Sequence, residues 1–249
     1  MLRLAFLAFL VSPCASVANV FAASPLPARI ILVGDSTMAT RSGYGDALCA
    51  RFQPDFACLN LAIGGRSSAS YRAEGLWDKV QEQLRASAPF SATYVLIQFG
   101  HNDQPGKPGR STDLVTQYPA NLARYVTQAR ALGAVPILVT PLTRRSFRGQ
   151  WLHDDLAPWS ATVRTIARQQ QADLLELNKD SATAVQTMGS AQADTLAQEP
   201  RPTRSLPEGG KSAFDYTHLG AKGADLFSGI VMKNLVRLHP ALAASLRQP

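Results

Sequence analysis

The sequence predicts an α/β fold in which a parallel sheet is covered by helices on both faces. Three observations carry that prediction. Short apolar runs recur along the chain, each closed by turn residues. Helix-spaced apolar patterns lie between those runs, and polar clusters stand directly after them. Runs that are apolar at nearly every position suit strands buried on both sides, as in parallel sheets.

The elements follow in order. Arg29 to Val33 (RIILV) is rich in β-branched residues and closed by Gly34. Phe56 to Ile63 is a weaker run, closed by Gly64-Gly65. Glu74 to Ala86 places Leu76, Trp77, Val80 and Leu84 at helix spacing. Thr93 to Phe99 is a third strand, closed by Gly100, and Tyr118 to Leu132 a second helix. Val135 to Val139 is a fourth strand, ended by Thr140-Pro141. Ala157 to Gln171 reads as a helix, Leu174 to Leu177 as a fifth strand ending at Asn178, and Leu219 to Leu238 as the last helix. The Pro- and Gly-rich segment 199–212 reads as a loop inside this domain, near the active face.

With 249 residues, 46% hydrophobic and 17% charged, the chain suffices for one α/β domain, and wholesale disorder is excluded. After the N-terminus no apolar run reaches the roughly 18 residues of a membrane span. The N-terminus itself is different. Arg3, an apolar stretch from Leu4 to Val11 and a run of small residues to Ala23 have the layout of a secretory leader. Cleavage after Ala22 or Ala23 is expected to leave one domain, residues 24–249, periplasmic or secreted and without a stable membrane anchor. The leader removes Cys14, and the two remaining cysteines, Cys49 and Cys58, are expected to pair in an oxidising compartment. Loop-entropy arithmetic assigns such a bridge about 2–3 kcal/mol.

The net charge of +7 becomes +6 when Arg3 is lost. For an exported protein that balance suits an acidic polysaccharide, an anionic surface or simple solubility, and no nucleic-acid motif accompanies it. Arg144 and Arg145, with Arg148 nearby, form the densest basic cluster. No Cys/His spacing suggests a metal. Nothing in the heptad pattern suggests an oligomer, so a monomer is expected.

Ligands in open α/β sheets bind beyond the carboxyl ends of the strands. That edge collects Gly34-Asp35-Ser36-Thr37, Gly64-Gly65-Arg66-Ser67, Gly100-His101-Asn102-Asp103 and Thr140 to Arg145. Asp215-Tyr216-Thr217-His218 is expected on the same edge, just before the last helix. These residue types permit acyl transfer. A serine hydroxyl needs a base, and Ser36 follows a strand, at an expected strand-to-helix turn. Of the four histidines, His239 reads as surface, His153 as a loop residue and His101 as a loop residue after the third strand. His218 has Asp215 three residues earlier, a spacing that lets a carboxylate hold one imidazole tautomer. Oxyanion donors are expected from the Ser36 N–H, a backbone N–H of the Gly64-Gly65 turn and the Asn102 amide.

Together, GDST, GGRSS, GHND and DYTHL resemble the signature blocks of the SGNH, or GDSL, hydrolase superfamily. Within it the chain is most similar to rhamnogalacturonan acetylesterases and their bacterial relatives, through GDSTM at Gly34 to Met38, Gly65 to Ser67, FGHND at Phe99 to Asp103, and TPLTRRSF at Thr140 to Phe147. The resemblance implies a flavodoxin-like three-layer α/β/α sandwich with a five-stranded parallel sheet and no cofactor or metal. It implies Ser36 as nucleophile, Asp215 and His218 as its partners, and Ser36, Gly65 and Asn102 as the oxyanion hole. The implied reaction is removal of acetyl groups from an acetylated, acidic plant polysaccharide, rhamnogalacturonan first. Xylan, peptidoglycan or a lipid ester are the alternatives. Arg66, His101, Arg144 and Arg145 are the expected substrate-binding residues.

Overall fold

A computed structural model describes residues 26–86, 90–199 and 214–248. The expected leader, and the segment 199–212 apart from Glu199, lie outside the described residues. Five strands run parallel: β1 (Arg29–Gly34), β2 (Ala57–Asn60), β3 (Thr93–Gln98), β4 (Val135–Val139) and, after a two-stranded hairpin, β7 (Asp173–Leu175). The hairpin pairs β5 (Phe147–Arg148) with β6 (Trp151–Leu152). Seven helices are described: α1 (Gly45–Cys49), α2 (Ser70–Ala73), α3 (Leu76–Arg85), α4 (Gln117–Ala131), α5 (Ala157–Gln169), α6 (Leu177–Asp194) and α7 (Ala221–Leu238).

The sheet order is β2-β1-β3-β4-β7, a doubly wound arrangement whose order reverses between β1 and β3. Every residue of β1 is buried, because alternate side chains feed two cores. Ile30 and Leu32 pack with α1, α6 and α7; Ile31 and Val33 pack with α3, α4 and α5. This is the three-layer sandwich that the apolar runs imply.

Several sequence boundaries shift. The second strand is shorter than Phe56–Ile63, although Leu61 and Ile63 still donate N–H bonds to Leu32 and Gly34 at 2.9 and 3.0 Å. The fifth strand ends at Leu175, because Leu177 already begins α6. The site serine lies on a turn rather than at a helix start: α1 begins only at Gly45. His239 is not a surface residue. Its Nε2 lies 2.9 Å from Asp173, and its ring lies 4.4 Å from that of Tyr94. Cys49 at the end of α1 is bridged to Cys58 in β2, tying the first helix to the edge strand.

Candidate active site

β1 delivers Asp35-Ser36-Thr37 to the sheet edge, and a buried network fixes the turn. The Asp35 carboxylate accepts the Thr37 N–H at 2.9 Å and the Thr37 hydroxyl at 2.8 Å. Thr37 Oγ1 accepts from Gln98 Nε2 at 2.7 Å, and Gln98 Oε1 accepts from the Tyr44 hydroxyl at 2.7 Å. Burial raises Asp35, but the neighbouring His101 and the Thr37 donors outweigh it and hold the carboxyl below its ordinary value. Gly43 lets the returning chain close over this turn: a Cβ there would lie 2.3 Å from the Thr37 backbone.

At the opposite side of the edge, His218 Nε2 lies 2.8 Å from Ser36 Oγ, and His218 Nδ1 lies 2.7 Å from Asp215 Oδ2. Asp215 Oδ1 accepts the N–H groups of Thr217 and His218 at 2.8 and 2.9 Å. Burial raises the Asp215 carboxyl; the His218 and Thr217 N–H bonds and the imidazole reverse that and bring it below its usual range. An ionised Asp215 holds the proton on Nδ1 and leaves Nε2 to accept from the serine hydroxyl. The Leu219 N–H reaches Ser42 O at 2.9 Å and pins this loop to the segment that follows Ser36.

The donors converge from two further strands. Gly65 adopts φ 77°, a left-handed conformation that disfavours a side chain. The preceding glycine faces the serine closely, since a Cβ on Gly64 would lie 3.7 Å from Ser36 Cβ. Asn102 Nδ2 donates to Arg66 O at 3.1 Å and keeps its second hydrogen free for another acceptor. Among the described residues, neither the Ser36 N–H nor the Gly65 N–H meets an internal acceptor. Behind Asn102, Asp103 accepts from the Ser68 hydroxyl at 2.6 Å, the Ser68 N–H at 3.1 Å and the Thr112 hydroxyl at 2.9 Å. The turn carrying Gly65 is thereby anchored to the loop carrying Asn102.

The GDSL-like Lipase/Acylhydrolase family model matches residues 32–226, from β1 into the last helix. The chain belongs to this family. It is a carboxylic ester hydrolase, and it is similar to two Bacillus subtilis proteins. One, the probable rhamnogalacturonan acetylesterase YesY, is 30% identical over 225 residues, covering 88% of this chain and 97% of the relative. The other, the rhamnogalacturonan acetylesterase RhgT, is 28% identical over 223 residues, covering 85% and 91%. A crystal structure of the Bacillus subtilis protein YxiM superposes with a TM-score of 0.67 at 22% identity, covering 86% of this chain and 57% of that longer one.

In this GDSL hydrolase the expected substrate-binding residues have different fates. Arg145 is fully buried, so it cannot be a substrate contact. Its guanidinium donates to the carbonyls of Asp215 at 2.7 Å, His218 at 2.8 Å and Thr217 at 3.3 Å, and its N–H donates to Tyr216 O at 2.9 Å. Burial lowers its pKa to about 10, against the charges of Asp215 and Asp194, so it stays protonated at neutral pH. Arg145 thus clasps the whole 215–218 loop. His101 is likewise buried, 3.4 Å from Asp35. Arg144 is spent on an ion pair with Asp155 and a 3.2 Å bond to Thr217 Oγ1. Arg66 stays at the rim, half-exposed, paired with Glu74 at 2.8 Å and bonded to Gly64 O at 2.7 Å.

Two rim cations escaped the sequence reading. Lys107 donates to His101 O, and Arg110 reaches Gly65 O at 3.4 Å. Neither lies in a signature block, and only the fold returns their loop to the Gly65 turn. Gln98 and Tyr44 were missed as well. A polar residue interrupting the apolar run TYVLIQF was the available signal for Gln98. Among the described residues no group of three or more His, Cys, Asp or Glu could hold a metal ion, and no helix is long and apolar enough to cross a membrane.

Proposed function

We propose that this hydrolase removes acetyl groups from an acetylated acidic polysaccharide, rhamnogalacturonan first, through a Ser36–His218–Asp215 triad. One observation carries the reading: the unbroken line from Ser36 Oγ to His218 Nε2 at 2.8 Å and from Nδ1 to Asp215 at 2.7 Å. His218 takes the serine proton as Oγ attacks the acetyl carbonyl. The Ser36 and Gly65 N–H groups and Asn102 Nδ2 receive the oxyanion, and the imidazolium protonates the departing sugar hydroxyl. Water then repeats the cycle on the acetyl-enzyme. The rhamnogalacturonan acetylesterase names of two relatives and the positive charge of the chain support a pectic polymer over a neutral one. The export leader and the Cys49–Cys58 pair belong to the same proposal of a periplasmic or secreted enzyme.

Acetate release from acetylated rhamnogalacturonan, with acetylated xylan and Ser36→Ala in parallel, tests it. Release from the pectic polymer alone, abolished by the substitution, is the expected result. Equal release from xylan would keep the triad and remove the pectic assignment.

A further inference from the structure

Of the basic cluster, Arg144 and Arg145 are consumed by internal contacts, and Arg148 is not. It is exposed, and among the described residues its side chain makes no hydrogen bond or ion pair. Its cross-strand partner in the β5–β6 hairpin is Trp151, which is 66% exposed. The other cross-strand pair, Phe147 and Leu152, packs on the core. Side chains directly opposite in an antiparallel pair share a face. Guanidinium and indole therefore stand together on the outer face of the arm.

The arm is held in place. His153 N–H donates to Ser146 O at 2.8 Å at its root, while Gln186 of α6 accepts the Leu152 N–H at 2.8 Å and donates to Gln150 O at 3.0 Å. Beside the indole a hollow of about 470 Å³ opens between the hairpin tip and α6, where Gly189 breaks the helix. Gln150, Gln186, Thr187 and Ser190 line it with amides and hydroxyls, and no charged residue takes part. The strand begins two residues after Arg145, the clasp of the His218 loop, so three residues of extended chain put Arg148 about 10 Å from it, with Trp151 directly across the hairpin.

We propose that Arg148 and Trp151 form a distal subsite for a carboxylate-bearing sugar of the polymeric substrate. The flat indole covers the C–H face of the ring, the guanidinium takes the carboxylate, and the amides and hydroxyls of the hollow take ring hydroxyls. Among the described residues of the hairpin strands and of the hollow's lining, Arg148 alone is charged, and its unpaired cation selects an acidic sugar over a neutral one. The inference rests on the reading of the chain as a polysaccharide deacetylase, and it assigns the polymer a second point of attachment.

The test is acetate release by the full chain from an acetylated polyuronide and from the same polymer after reduction of its carboxylates, with 4-nitrophenyl acetate as the small ester. Trp151→Ala is expected to raise KM on both polymers about two- to tenfold at unchanged kcat. Arg148→Gln is expected to raise KM about two- to fivefold on the acidic polymer alone, an effect that fades with added salt. Neither is expected to alter hydrolysis of 4-nitrophenyl acetate. Polymer KM values unchanged in both variants overturn the subsite and leave the triad standing. If the unmodified enzyme hydrolyses the small ester but neither polymer, the polysaccharide reading fails. The subsite is then judged by binding of polygalacturonate to the Ser36→Ala protein. Weaker binding when Arg148→Gln or Trp151→Ala is added supports it, and equal or absent binding in all forms overturns it.

Discussion

Ser36 sits only 8% exposed at the end of a strand buried on both faces, whereas the side chains of His218, 2.8 Å away, and of Asp215 behind it are 36% and 40% exposed on a loop. The Ser36 half is held many times over. Asp35, Thr37, Gln98 and Tyr44 form one buried chain, and Asp103 with Ser68 and Thr112 forms another. The base half depends on fewer contacts: Arg145 against the loop carbonyls, the Leu219 N–H to Ser42, and the Asp215 cap. Preorganised donors are stiffest where loops from three strands share buried polar bonds. His218 and Asp215 sit where solvent and protons have access. Substitution of a donor in the first half should lower the rate and spare the fold, and substitution of a support in the second should lower the rate through geometry and cost stability as well.

Asn102→Ala is the sharpest probe of the stiff half. Losing one oxyanion donor is expected to lower kcat about 10²–10³-fold with little change in KM. Because Asp103 and Ser68 still anchor the neighbouring turn, near-UV circular dichroism and the thermal midpoint should stay close to those of the parent. Near-full activity would remove Asn102 from the oxyanion hole. A collapsed fold would mean that its 3.1 Å bond to Arg66 O matters more than its second hydrogen.

Arg145→Met is the matching probe of the looser half. It deletes a cation that touches no substrate, and it strips three carbonyls of their donor. Misplacing His218 by a fraction of a bond length is expected to cost about 10–100-fold in kcat on 4-nitrophenyl acetate. The unpaired buried carbonyls should lower stability by about 1–3 kcal/mol. Arg145→Lys should recover part of the rate, since an ammonium can still serve some of those carbonyls. A methionine variant with parental kcat would show that the Asp215 cap and the Leu219 bond hold the loop unaided.

The same contrast explains what could be read from the sequence. β1, β3 and β4 were legible because burial on both faces leaves nearly continuous apolar runs. Ser36, Gly65, Asn102, Asp215 and His218 were legible as blocks at strand ends. α6 was not, because its buried positions are few and include Asn178, Ser181 and Ala193, and Gly189 interrupts its period. The hairpin was not, because two-residue strands have no pattern to show. Arg144, Arg145 and Arg148 look alike in the sequence. Only tertiary contact divides them into a tethered rim cation, a buried clasp and a free guanidinium, because the bonding partners of the first two lie about 70 residues away in the 215–218 loop or in the loop before α5.

Asp103 offers the mildest test, and it concerns the pH dependence of the stiff half. Burial pushes its carboxyl up to about 6, against the opposing bonds from Ser68 and Thr112. A carboxyl raised on folding favours the protonated form. Its contribution is therefore fully present below pH ~4 and is lost as pH rises through about 6. Asp35 and Asp215 are lowered on folding and act in the opposite direction, losing their contribution as pH falls through their depressed values. The net curve alone would hide the Asp103 effect, and a difference measurement isolates it. Urea unfolding of the parent and of Asp103→Asn from pH 4 to 7 should give a stability difference that shifts by about 2–3 kcal/mol toward the variant as pH rises. A difference that stays constant across that range would mean that Asp103 is already ionised at pH 4. The Ser68 and Thr112 donors would then outweigh its burial, and the turn carrying Gly65 would be held by a charge rather than by a neutral acid.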